Sequence, residues 1–486
     1  YQYSVSIRPE DLEVGRNFIT DKQTSLVINN DGSTQEVVWY QFKIPLAAYE
    51  KIVGNITDFS TIRFARMYMT GFKATTHLRF ATLELVKGEW RPYKFNLNTR
   101  GDAPAEGNLD VSVVNIEENA GREPVNYVLP PGVSRITDPG QSQIVQLNEQ
   151  SISLKVTDLQ PGDARGVYKN TLLDMRNYKR LQMWIHAEQL IDDLTDLRNG
   201  QVAAFIRIGS DVRSNYYEYE VPLDLTPAGH YTDGERSAVW PAANFMNLAL
   251  QELVDLKKER NRAKNENTPG VGYAVPYSKR DPSNERCRMT VVGNPSLSDV
   301  RVMLVGVRNN ASTVKDATVW LNELKVTDFN NSGGWAAKGN VNVGVSDIGT
   351  LNFAAHRETA GFGAVDQSLN ARRMDDYEQY SFALQMDAGR FLPEKVKLRA
   401  PIYYSVTKEK TTPKYNPLDQ DVELKDAIDA CTTKAQKDSI LNYAVDHSTV
   451  KNFSISGLKF DVKSKNPMPW DPANFTVNFS FNKQSK

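Results

Sequence analysis

The residues with chemistry to offer in this sequence are few and scattered. Five histidines, His77, His186, His230, His356 and His447, stand far apart. None belongs to an HExxH zinc pair, and neither a GxSxG elbow nor a phosphate-cradling glycine loop occurs. His186, within MWIHAE, reads most simply as a strand residue. Asp419 and Asp421 in NPLDQD present oxygens that suit a hard cation such as calcium, and a turn rich in Pro and Asp accounts for them equally well. Cys287 and Cys431 form neither a disulfide framework nor a zinc set, and nothing in their spacing calls for a bridge between them. The GFG of TAGFGAV, Gly361 to Gly363, is too short for a nucleotide motif and suits a turn or bulge. No catalytic, cofactor-binding or metal residue is assigned, and the chain is not expected to be an enzyme.

Two further patterns admit two readings each. The basic run LKKERNRAKNE, residues 256–266, is a solvated helix face or a surface that contacts a transported protein. Tyr216, Tyr217 and Tyr219 are either core residues or a sugar-stacking platform. Their pattern recurs elsewhere in the chain, which favours the core.

The elements that position these residues follow from composition and periodicity. Lys plus Arg (58) nearly cancel Asp plus Glu (59), so no charge field argues for nucleic acid. No apolar run approaches the ~20 residues of a membrane helix. That leaves a barrel open, because barrel strands alternate and look polar on average. The opening YQYSVSIRPEDLEVG has no Met and no signal peptide, and is expected to be an internal piece.

An internal duplication outweighs any single motif. WYQFKIPL (39–46) matches YYEYEVPL (216–223), and FSTIRFARM (59–67) matches LSDVRVMLV (297–305). A second strand follows each, LRFATLELVKGEW (78–90) or TVWLNELKVTDF (318–329), sharing Glu84 with Glu323 and Leu85 with Leu324. These predict two related β-sandwich or jelly-roll units, 1–100 and 145–330, the first expected to be truncated at its start. Residues 101–144, rich in Gly, Pro, Asn and Asp, read as an extended connector with little core. A helical insertion is expected near 241–266, opened by Pro241 and Asn244, with Phe245, Leu248, Leu253 and Leu256 at helical spacing.

At Asn330, Asn331, Ser332, Gly333 and Gly334 the pattern changes, and Trp335 follows at once. Beyond it, Val341, Val343 and Val345 alternate with Asn340, Asn342 and Gly344. Tyr380, Phe382, Leu384 and Met386 alternate with Ser381, Ala383 and Gln385, and Phe475, Val477, Phe479 and Phe481 with Thr476, Asn478 and Ser480. Residues 331–486 are therefore expected to form part of an outer-membrane β-barrel wall, with a helical loop near 421–446. About five or six such strands cannot close a barrel. The fold class is all-β: duplicated sandwich units, then antiparallel transmembrane barrel strands, with minor helical insertions.

Several long strings, in order, resemble the SprA/Sov family, the outer-membrane translocon of the Bacteroidota type IX secretion system. They include IRFARMYMTGF, PGDARGVYKNTLLDMRNYKRLQMWIHAE, RIGSDVRSNYYEYEVPL, GNPSLSDVRVMLVGVRN, VWLNELKVTDFNNSGGWAA, PKYNPLDQD and PWDPANFTVNFSF. The resemblance implies a section of a very large single-chain barrel in the outer membrane that exports folded cargo. It implies a lipid bilayer around the wall, a PorV-like barrel protein, a plug protein and cargo with a C-terminal sorting domain as partners, and a link to gliding motility. The competing class is a secreted tandem β-sandwich that binds carbohydrate.

Overall fold

A computed structural model describes the chain except residues 29–31, 47, 55–63, 84–88, 99–102, 138–145, 192–193, 369–370, 432, 463–464 and 467. It is mostly β and divides into two compact units, residues 1–88 and 89–486.

In the first unit, Ile19–Ile28 (β1) and Thr34–Phe42 (β2) pair antiparallel as a hairpin. The other repeat segments of this unit are expected to be strands. Their described part, residues 64–83, belongs to no strand, and 59–63 and 84–88 lie outside the described residues. The physical reason is that strand character lives in the ladder. Alternation by itself does not make a strand, which also needs a hydrogen-bonded neighbour.

The second unit opens with a two-sheet sandwich. Its strands are Arg91–Pro92 (β3), Asn108–Asn115 (β4), Gln150–Leu159 (β5), Ala164–Leu173 (β6), Tyr178–Glu188 (β7) and Val202–Gly209 (β8). Tyr216–Pro222 (β9), Met246–Ala249 (β10), Tyr277–Asp281 (β11), Asn284–Val292 (β12), Val300–Asn309 (β13) and Lys315–Phe329 (β14) complete it. One sheet runs β10-β7-β14-β5-β4 and the other β11-β12-β9-β8-β13-β6-β3. Period-2 strands put alternate residues between the sheets. Leu154, Met183, Ile185, Val319 and Leu321 thus meet Ile206, Ile208, Tyr217, Tyr219, Val305 and Val307 in one core.

Two expectations change here. Residues 101–144 are more than a connector, because they supply β4 and because Val125, Tyr127, Val128 and Leu129 are buried with Trp240 and Trp320 in a second core. The helical insertion starts later than its Pro241. Residues Ala242–Asn244 form one 3-10 turn, β10 pairs with β7, and the helix proper is Leu250–Asn265 (α2), after the single turn Arg236–Val239 (α1). Met246 and Leu248 alternate with Asn247, a period the edge of β7 captures before a helix can form.

After β14 come Ala336–Val345 (β15), Gly349–Glu358 (β16), Asp375–Asp387 (β17), Leu398–Arg399 (β18) and Pro401–Pro413 (β19). Tyr415–Asn416 (β20), Asp419–Glu423 (β21), Leu424–Asp429 (α3), Lys434–Ala444 (α4), Asp446–Phe460 (β22) and Val477–Ser485 (β23) follow. The long strands form one antiparallel sheet, β15-β16-β17-β19-β22-β23, with β18 at β22. This sheet is open, and no closed barrel is present among the described residues. The helical loop is two helices, not one, and lies between β19 and β22.

Candidate functional site

The C-terminal sheet of β15, β16, β17, β19, β22 and β23 is two-faced across its whole width. Its registers align Val343, Leu351, Leu384, Tyr404, Phe453 and Phe481 in one row across six strands. The adjacent row, on the opposite face, is Asn342, Asn352, Ala383, Ser405, Asn452 and Asn482. A one-residue slip anywhere would exchange the faces, so this agreement over five pairings is a property of the fold and not of one strand. The apolar face is open: Val341 is 59% exposed, Phe353 48% and Phe479 54%.

Charged residues bound the apolar face, and their boundary is slanted. Arg357 of β16 and Glu378 of β17 share a row. Lys408 of β19 lies two residues deeper on the same face, and Lys451 of β22 and Lys483 of β23 two residues deeper still. These four residues, ~14 Å along a strand, are gained over four strand spacings, ~19 Å, so the boundary crosses the strands at ~35° from perpendicular. That is the tilt of membrane-barrel strands. Along β17 the apolar run from Tyr380 to Met386 covers ~20 Å, or ~17 Å at that tilt, shorter than the ~25 Å band of an outer-membrane barrel. Trp335 and Tyr380 sit at the charged boundary, Trp335 with the Arg357 guanidinium 5.4 Å from its ring.

The segment 330–334 carries the chain from the sandwich sheet to the C-terminal sheet. Asn330 N donates to Asn177 O at 2.6 Å. A Cβ on Gly334 would lie 2.3 Å from Phe362 N and 2.6 Å from Thr359 O, so only glycine fits there. Gly361, at φ +89°, is the turn residue facing it, which gives the GFG motif a structural role.

The β20–β21 hairpin and α3, which follow β19, are latched to the sandwich. The α2 residues Leu250, Leu253, Lys257 and Arg260 fall on one helical stripe and all are buried. The Lys257 ammonium donates to the carboxylates of Asp419 and Asp421 and to Pro295 O at 2.9 Å. Asp421 Oδ2 also accepts from Tyr217 Oη at 2.8 Å and Leu297 N at 3.2 Å. Around this centre, Arg176 donates to Gln420 O at 3.1 Å and stacks on Tyr415, and Lys258 pairs with Asp426 at 2.9 Å. Val422 enters the sandwich core. Burial pushes the Asp419 carboxyl above its ordinary range despite Lys257, and burial beside Asp421 pushes the Tyr217 phenol well up.

The calcium alternative for Asp419 and Asp421 thus gives way to an ammonium, which occupies the space between their oxygens. Among the described residues no group of three His, Cys, Asp or Glu side chains could hold a metal. The basic run is likewise not a solvated face throughout, since Lys257 and Arg260 are fully buried. The signal was present: Lys257 and Arg260 continue the leucine stripe at spacings of helical neighbours. Tyr216, Tyr217 and Tyr219 are all buried, which excludes the sugar platform and leaves the core reading. His186 is a buried strand residue, its Nδ1 2.8 Å from Val239 O and its ring stacked on Trp320 at 3.9 Å. Cys287 and Cys431 are both free thiols.

A second ionic cluster lies on the outer face of the seven-stranded sandwich sheet. Arg207 Nε donates to Glu218 at 2.6 Å, Arg308 donates to both Glu218 oxygens at 2.8 and 3.0 Å and also to Glu220, and Arg288 donates to Glu220 at 2.7 Å. Burial alone would raise the Glu218 carboxyl, but Arg207 and Arg308 outweigh it and hold it at about 2. Among the described residues no helix is long and apolar enough to cross a membrane, a test that does not bear on strands.

No curated protein matches the chain. A family model described as motility related/secretion protein, SprA_N, matches residues 1–428, from the first hairpin through the sandwich and β15 to β19 to the latch. The chain therefore belongs to the SprA_N family of motility-related secretion proteins.

Proposed function

We propose that this chain is a section of the wall of a very large outer-membrane β-barrel that conducts folded cargo proteins in type IX secretion. The observation that carries the reading is the register-matched two-faced sheet. One face offers an apolar band with a tilted charged rim, and the other offers Asn, Ser, Gln and Thr. The apolar face meets lipid, and the polar face lines a hydrated passage. Both edges of the sheet require further strands, because an open ladder does not persist in hydrocarbon. The pore needs no catalytic side chain. It needs a polar lumen and attached domains that do not drift, and the Lys257 latch together with Gly334 fixes the sandwich to the wall. On this reading the partners are a PorV-like barrel protein, a plug protein, cargo with a C-terminal sorting domain and the outer-membrane bilayer.

The test is recovery of the native full-length polypeptide from membranes. Extraction only with detergent, together with a small outer-membrane barrel protein identified by mass spectrometry, is the expected result. A detergent-independent protein that holds glycans would overturn the proposal and restore the secreted sandwich.

A further inference from the structure

Charge at the rim of the apolar face is not balanced. Arg357 of β16, Lys408 and Lys410 of β19, Lys451 of β22 and Lys483 of β23 follow the slanted boundary, and all are exposed. The carboxylate facing them is Glu378 of β17, which Arg357 already holds at 3.3 Å. Among the described residues, Lys408, Lys451 and Lys483 form no ion pair. Lys451 stands directly opposite Lys483, and like charges in that position weaken a ladder. Lys408 is diagonal to Lys451, which faces Val406. Three ammonium groups therefore gather across two strand spacings, ~10 Å. At the other end of the strands the charge is matched, Arg390 pairing with Asp347 at 3.4 Å.

A cavity of about 520 Å³ opens on the same face and ends at Val406 and Lys408. Its walls are Val341, Phe353, Tyr380 and Phe382, and its floor lies at Gly339 and Ala355, neighbours across β15 and β16. Lys408 is on the charged boundary and Ala355 is two residues inside it, so the cavity leads from the rim into the apolar band. From β19 to β15 it crosses three strand spacings, ~14 Å. Nothing within the fold asks for glycine at 339. Its φ is not positive, and no atom lies within 4 Å of a Cβ built there. Glycine in a strand interior often marks the close approach of a ligand.

We propose that this rim and cavity form a binding site for one anionic phospholipid. The phosphate lies among Lys408, Lys451 and Lys483, where it turns their mutual repulsion into attraction. One acyl chain runs from there past Tyr380, between the rings of Phe353 and Phe382, to Gly339 and Ala355. A lipid fits where a soluble anion does not, because the cations and the apolar cavity are continuous and only an amphiphile fills both. The inference rests on the reading of this face as lipid-facing and adds to it a particular lipid class at a particular place.

The experiment is native mass spectrometry of the full polypeptide, delipidated in a neutral detergent and titrated with phosphatidylglycerol or phosphatidylcholine of the same acyl chains. A lysine beside an anionic headgroup is worth about 1 kcal/mol, about fivefold in affinity. The unmodified protein is expected to hold one phosphatidylglycerol at least about twentyfold tighter than phosphatidylcholine, and the K451Q, K483Q pair to lose most of that preference. K451R, K483R is expected to keep it. Gly339→Leu, for which the backbone leaves room, is expected to weaken both lipids severalfold without changing their ratio. Equal retention of the two lipids by the unmodified, detergent-extracted protein overturns the inference and leaves the wall reading standing. Displacement of phosphatidylglycerol by inorganic phosphate at matched ionic strength also overturns it, by showing a site for the free anion. A full polypeptide recovered without detergent overturns both readings.

Discussion

Replacing Lys257 by methionine removes the ammonium that Asp419 and Asp421 share while keeping most of the side-chain volume. Both carboxylates stay in place, Asp421 buried and Asp419 largely so, with Tyr217 and Leu297 donating only to Asp421. Breaking a buried pair from one side costs about 3–5 kcal/mol, because the stranded charge has lost its partner and its water. Since about 1.4 kcal/mol is tenfold, opening of β21 and α3 is expected to rise roughly a hundredfold to a few thousandfold. The assay is hydrogen exchange of residues 421–428 in the full polypeptide, with β13 as the internal reference. The combined K257M, D419N, D421N variant removes all three charges and is expected to recover much of the loss. Exchange in K257M within threefold of the parent would refute the reasoning and reduce the latch to an incidental contact. Protonation tests the same centre with a defined sign. Asp419 has its folded pKa raised above the unfolded 3.8. Its contribution is therefore full below that value and is lost as pH rises through the folded pKa, so Asp419→Asn is expected to cost far less than Lys257→Met.

Glu218 works in the opposite sense. Its pKa falls from 4.5 unfolded to about 2 folded, so its contribution, about 3 kcal/mol, is present above pH 4.5 and lost as pH falls toward 2. Glu218→Gln is expected to lower sandwich stability at pH 7 and to flatten that acid limb, read by denaturation of the full polypeptide at a series of pH values. In the wall, Leu384→Arg is expected to cost about 2–4 kcal/mol of membrane insertion, whereas Ala383→Arg, one residue away on the other face, is tolerated. Heat-modifiable gel mobility of the membrane-assembled protein reads this, and equal effects would refute the assignment of faces. Gly334→Ala, whose Cβ would press on Phe362 N and Thr359 O, is expected to cost at least about 1–3 kcal/mol. Increased protease cleavage at 330–362 measures it.

Alternation is a local property, since a strand turns each successive side chain to the opposite face whatever its neighbours are. The sequence therefore determined by itself that Tyr217 and Tyr219 share one face, that Leu384 and Phe382 share another, and that the chain changes character at 330–334. The tertiary structure decided everything that depends on a distant partner. Residues 64–83 have the same alternation as β13 and stay outside any strand, because a strand exists only within a ladder. Met246 and Leu248 read as helix until β7 offers them an edge. Val125 to Leu129 lie in a stretch whose composition reads as loop, and they become core because Trp240 and Trp320 arrive from far along the chain to cover them. Lys257 and Arg260 look like a solvated basic run, and Lys257 can be buried because two aspartates some 160 residues later are folded back onto it. Burial of a charge is a contract between two distant segments, and only the fold brings both to the same place.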